Sequence, residues 1–134
     1  MRSFALRALA AAALLFLSFL APANAAPTCV VGKSGTAPTA SITFTAPTTN
    51  TDGTALTGTV TYDLFQGTSS GAEKEVATGL SGSPIAVNTG LADGTTIYWY
   101  VEAVNSAGNA SAPSNEVCKT FPAGTPSSVV ISIT

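Results

Sequence analysis

Residues 97–104 read IYWYVEAV, and their alternation decides the fold. Ile97, Trp99, Val101 and Ala103 share one parity and are apolar or small, whereas Tyr98, Tyr100 and Glu102 share the other. Successive side chains of a strand point to opposite faces, so a period of two means a β-strand with one face toward a core. Trp99 lies on the core parity and is read as a packing residue, not as a platform for a ligand.

Working outward, 105–114 (NSAGNASAPS) is a loop, and Asn115 to Thr120 forms a last strand carrying Cys118. Upstream, Leu91 anchors the turn LADGTT, and Pro84 to Val87 forms a strand with Ile85 and Val87 inward. Glu73 to Ala77 reads as a short, charged edge strand of the kind that resists further pairing, after the turn at 67–71. Val60, Tyr62 and Leu64 alternate with Thr61, Asp63 and Phe65, the first set facing inward. Ile42 and Phe44 share one face of an earlier strand that Pro47 ends, and 47–58 (PTTNTDGTALTG) is a loop with Leu56 tucked in. Nothing recurs at helical spacing. Six or seven short strands with turn chemistry between them describe an all-β sandwich.

The stretch 91–117, LADGTTIYWYVEAVNSAGNASAPSNEV, resembles the F strand, FG loop and G strand of bacterial fibronectin type III domains. The loop APTTNTDGTALTG and the strand TYDLFQGTSSG resemble the B–C region of the same family. The likeness spans about residues 38–121 and implies an immunoglobulin-like sandwich of about seven strands. One departure stands out: Ile97 occupies the place of the family's corner tyrosine, with Tyr98 one step along. The segment CVVGKSGT is a short early strand whose partner the residues do not indicate.

Residues 1–25 have the parts of a secretory signal: Arg2 and Arg7, the apolar run Ala8 to Leu20, and Ala23-Asn24-Ala25 as a small-x-small cleavage site. The apolar run is shorter than the ~18–20 residues a membrane span requires, so no membrane insertion is expected after cleavage. Removing 25 of 134 residues leaves 109, the size of one domain: a sandwich at 26–121 and a tail at 122–134. Export implies a secreted, periplasmic or cell-surface location, where Cys29 and Cys118 can pair; two unpaired thiols are the alternative. The mature chain sets three lysines and no arginine against seven carboxylates, a formal net of −4. Such a chain cannot neutralise a run of phosphates, which disfavours nucleic acid and anionic membrane as partners.

The chain has no histidine, which removes the usual general base near neutral pH and the commonest transition-metal ligand. Lys33-Ser34 offers adjacency without the burial that a Ser–Lys pair requires. Glu73-Lys74-Glu75 reads as a solvated edge and not as a glycosidase pair. Asp52 with Asn50 and Thr51 offers hard oxygen ligands, but Asp-Gly is ordinarily a turn and no EF-hand spacing is present. VGKSGT lacks the first glycine and the helix of a phosphate loop. Asn109-Ala110-Ser111 is a glycosylation sequon in a loop. No catalytic residue, cofactor or metal is expected, and the chain is not expected to be an enzyme.

What remains is surface. Parity places Phe65, Tyr98 and Tyr100 on the outward face of one sheet with Asp63 and Glu102 beside them. They form either a binding face or cross-strand pairs that serve the sheet itself. In the tail, Val129, Val130, Ile131 and Ile133 belong to an uncharged, β-prone segment that either folds back on its own sheet edge or is donated to a neighbour. The expected function is a non-catalytic interaction or adhesion module binding protein or glycan outside the cytoplasm. The alternative is a structural subunit of a surface fibre or layer, self-associating through the terminal strand.

Overall fold

A computed structural model describes residues 26–125 and Ser132. The expected signal peptide at 1–25 and the candidate assembly residues Val129, Val130, Ile131 and Ile133 lie outside the described residues. Among the described residues the chain is all β: β1 (Val30–Val31), β2 (Ala40–Ile42), β3 (Thr61–Gly67), β4 (Lys74–Leu80), β5 (Ile85–Val87), β6 (Thr95–Val104) and β7 (Val117–Phe121). They form a five-stranded sheet in the order β1-β7-β6-β3-β4 and a two-stranded sheet of β2 and β5. All pairs are antiparallel except β1 with β7, where Val30 lies opposite Lys119 and Val31 opposite Thr120 in parallel.

The alternation of β6 has its expected consequence. Ile97 and Trp99 are 2% and 1% exposed, and they pack with Val101, Tyr62, Leu64 and Phe121 from the same sheet. Ile42, Ile85 and Val87 close the core from the two-stranded sheet. Each large apolar side chain so buried contributes roughly 1.5–3 kcal/mol relative to exposure.

Two local features differ from the reading of the residues, and a third bears on the corner tyrosine that the reading found missing. The strand at Ile42 ends there instead of continuing through Phe44. The partner of Ile42 is Ile85, and the next residue on that strand is Pro84, which has no N–H with which to extend the ladder. Phe44 instead donates its N–H to Ser83 Oγ at 3.0 Å and sets its ring 4.6 Å from that of Tyr62. β4 is an edge strand, as expected, but it runs on to Leu80 because two bulges absorb extra residues. Leu80 faces Tyr62 while Ala77 faces Leu64, and Glu75 faces Phe65. Gly79 takes a positive φ of 68° within the first bulge, a conformation glycine adopts without steric cost. At the turn before β6, where the family places a tyrosine corner, Gly94 N–H donates to the Phe121 carbonyl at 2.6 Å and Thr95 Oγ1 to the Ala92 carbonyl at 2.5 Å. The turn is thus held by one hydrogen bond within it and one to the end of β7.

Cys29 and Cys118 form a disulfide with their Cα atoms 4.6 Å apart across 89 residues of sequence. It ties the segment before β1 to the middle of β7.

Candidate functional site

The outward face of the five-stranded sheet gathers the residues that parity placed there. β3 and β6 pair in register, so Phe65 lies opposite Tyr100 and Asp63 opposite Glu102. The Phe65 and Tyr100 rings are stacked, with centroids 4.5 Å apart and planes 12° from parallel. Tyr98 continues the row, flanked by Gly67 on one side and Cys118 on the other. All three aromatic residues are half-buried. The stack therefore joins β3 to β6 and remains partly exposed to solvent.

Asp63 is less free than its parity suggested. Its Oδ1 accepts the Gly79 N–H at 3.0 Å, so this carboxylate holds the β4 bulge in place. Glu102 lies beside it across the strand pair, and a like charge directly opposite is unfavourable in a sheet. The hydrogen bond from Gly79 offsets part of that cost.

Two residues of the site were not singled out from sequence. Glu116, just before β7, accepts the Gly71 N–H on Oε2 at 2.9 Å, and its carboxyl meets that of Glu73. Because β6 separates β3 from β7, these contacts tie the β3–β4 turn across β6 beside Tyr100. Glu73, read as part of a solvated edge, is instead half-buried before the strand begins. Oε1 of Glu73 and Oε1 of Glu116 are both buried with no hydrogen-bond partner, and two carboxyls that meet in this way favour holding a proton on one of them. Burial and the contact with Glu116 push the Glu73 carboxyl above the usual range. Burial also raises the Tyr100 hydroxyl, with the charges of Glu102 and Glu73 adding to it. One signal for Glu116 was available: it shares parity with Cys118, on the outward side of β7. The meeting with Glu73 left no local trace.

The remaining candidates lie apart. Asp52 Oδ1 accepts both the N–H of Thr54, at 3.0 Å, and its hydroxyl, at 2.6 Å, which closes a turn and holds the carboxyl below its ordinary value. Among the described residues no group of three or more Cys, Asp or Glu side chains is arranged to hold a metal ion. Ser34 donates to the Ala123 carbonyl at 3.2 Å, which ties the β1–β2 connection to the chain beyond β7. Asn109 is exposed, its N–H bonded to Asn105 Oδ1.

Comparison with known proteins bears on the fold. No protein-family model matches the chain, and no curated protein sequence matches it. Among solved structures, an Fn3-like protein from Clostridium thermocellum superimposes with a TM-score of 0.50 and 28% sequence identity, over 73% of this chain and 96% of that one. With two facing sheets, seven strands and this neighbour, the fold is fibronectin type III-like.

Proposed function

We propose that this fibronectin type III-like sandwich is a non-catalytic interaction module, exported from the cytoplasm, that binds a protein partner through the outward face of its five-stranded sheet. The observation that carries the reading is the Phe65–Tyr100 stack with Tyr98 in the same row. Half-exposed aromatic side chains at the centre of a polar surface supply rigid contact area at low entropic cost.

Charge narrows the partner. Asp63, Glu102 and Glu116 surround the stack, and Glu75 lies opposite Phe65. The lysines of the mature chain lie elsewhere: Lys33 in the β1–β2 connection, Lys74 opposite Gln66, and Lys119 opposite Ile97. A face of carboxylates and aromatic rings favours a protein that brings lysine or arginine, whose cations meet both. The disulfide is consistent with an oxidising compartment, which supports a secreted, periplasmic or cell-surface location.

Affinity capture on the immobilised mature chain, from envelope or host extract, tests this reading alongside Phe65→Ser and Tyr100→Ser. Loss of a captured protein in both variants, with capture weakening as salt rises, is the expected result. Capture equal in all three, or retention of neutral glycans in place of a basic protein, would overturn it.

A further inference from the structure

At one end of the sandwich the 47–58 and 105–111 loops face each other across a cleft. Each loop is closed by its own hydrogen bonds. In the first, Thr49 bridges to Ala55, and Asn50 donates its main-chain N–H to the Thr54 carbonyl at 2.8 Å. Nδ2 of Asn50 donates to Thr54 Oγ1 at 3.0 Å and to the Ala55 carbonyl at 3.4 Å. In the second, Val104 bridges to Ala110, and Asn105 Oδ1 accepts the N–H groups of Ala107 and Asn109, each at 3.0 Å. The loops are also tied to each other. Ser106 Oγ donates to the Thr57 carbonyl at 3.2 Å, and a Cβ on Gly58, whose φ is 80°, would meet that Oγ at 2.9 Å.

The cleft between them measures about 120 Å³. Leu56, with Val60 and Ala103 that pack against the core, gives it an apolar floor. The amides of Asn50, Asn105 and Asn109 and three hydroxyl side chains make up most of the rest, and no charged side chain lines it. A volume well below the ~300–1,000 Å³ of drug-sized pockets admits one small ring.

The bonds inside the loops decide what the amides still offer. Asn50 spends Nδ2 within its loop and keeps Oδ1, an acceptor. Asn105 spends Oδ1 within its loop and keeps Nδ2, a donor. An acceptor and a donor above an apolar floor match two neighbouring hydroxyls on a ring with a C–H face. One hydroxyl donates to Asn50, the other accepts from Asn105, and the C–H face covers Leu56 and Val60. A charged ligand would find no counter-charge there to offset its loss of water.

We propose that this cleft is a subsite for one neutral pyranose, held by Asn50, Asn105 and Asn109. It is a second site beside the aromatic face: Val60 and Ala103 lie on the core parity of their strands, whereas Phe65, Tyr98 and Tyr100 lie on the other. Sugar bound here adds to the capture of a protein by that face and does not replace it.

Titration of the isotope-labelled chain 26–134 with the methyl glycosides of glucose, galactose, mannose and N-acetylglucosamine, followed by NMR, tests the proposal. At least one glycoside should give saturable shifts confined to the amides of 47–58 and 103–111 and to the side-chain amides of Asn50, Asn105 and Asn109. The dissociation constant should be roughly 1–10 mM, the strength that about three neutral hydrogen bonds support. Asn105→Asp keeps the oxygen that closes its loop but turns the free donor into an acceptor, and Asn109→Ala keeps the main-chain bonds of the same loop. Each should weaken binding at least about fivefold, whereas Phe65→Ser should bind the sugar as the wild type does. The proposal would be overturned by no saturable shift with any of the four glycosides, by shifts centred on 65 and 98–100, or by unchanged affinity in both asparagine variants. None of those results bears on protein capture by the aromatic face, so the two readings fail separately.

Discussion

The indole N–H of Trp99 donates to Oε1 of Gln66 at 2.8 Å, and Nε2 of the same glutamine donates to the Gly90 carbonyl at 3.0 Å. The most buried side chain of the core thus has its one polar atom satisfied by a residue that also holds the loop between β5 and β6. Replacing Gln66 with Leu leaves a buried donor unpaired and frees that loop. The expected cost is roughly 1–3 kcal/mol. Urea denaturation followed by Trp99 fluorescence measures it, since the chain has a single tryptophan.

Cys29 and Cys118 close a loop of 89 residues, nearly the whole sandwich. By loop-closure entropy the bond contributes about 4–5 kcal/mol, a large share of the stability of a domain this size. Cys29→Ser combined with Cys118→Ser should lower the urea midpoint accordingly. Reduction of the wild type should reproduce the loss, and mass spectrometry of the oxidised protein should show two hydrogens fewer than the reduced form.

Phe65 and Tyr100 are stacked on the outward face. A double-mutant cycle with Phe65→Ala and Tyr100→Ala should return a coupling of about 0.5–1.5 kcal/mol in equilibrium unfolding. A coupling near zero would show that the rings contribute nothing to the sheet by meeting.

Glu73 and Glu116 give the fold a pH dependence of two opposed parts. Burial, then contact with Glu116, raises Glu73 above 4.5, so the folded chain holds this proton more tightly than the unfolded chain. Stability from it is present at low pH and is lost as pH rises from about 4.5 through the raised value. For Glu116 burial is outweighed by hydrogen bonds from Glu73, the Gly71 N–H and Ser70, which hold it below 4.5. Its contribution is present above about 4.5 and is lost as pH falls through the lowered value. Glu73→Gln removes the first part and keeps a donor toward Glu116. Its urea midpoint relative to wild type should therefore rise between about pH 4 and about pH 7, whereas that of Glu116→Gln should fall.

The period of two in 97–104 and in 60–65 was enough to place Trp99, Ile97, Tyr62 and Leu64 in a core. Which face a side chain takes depends only on its neighbours in a strand. The same parity set Phe65, Tyr98 and Tyr100 on the opposite face. The short strand at Val30 was legible, but not its parallel partner, because an edge strand of two exposed valines carries no pattern that selects a register. The bulges of β4 were hidden for a related reason: an inserted residue breaks the alternation that would reveal it.

By itself, then, the sequence determined a sandwich with an aromatic outward face and two cysteines suited to pairing, since contiguous residues encode strand parity. Only the tertiary structure decided that Phe65 stacks on Tyr100, that Asp63 serves a bulge, and that Glu73 meets Glu116 across β6. Those relationships rest on strand order and register. They join residues as far as 45 positions apart, as Gly71 and Glu116 are, whose proximity no local pattern can express.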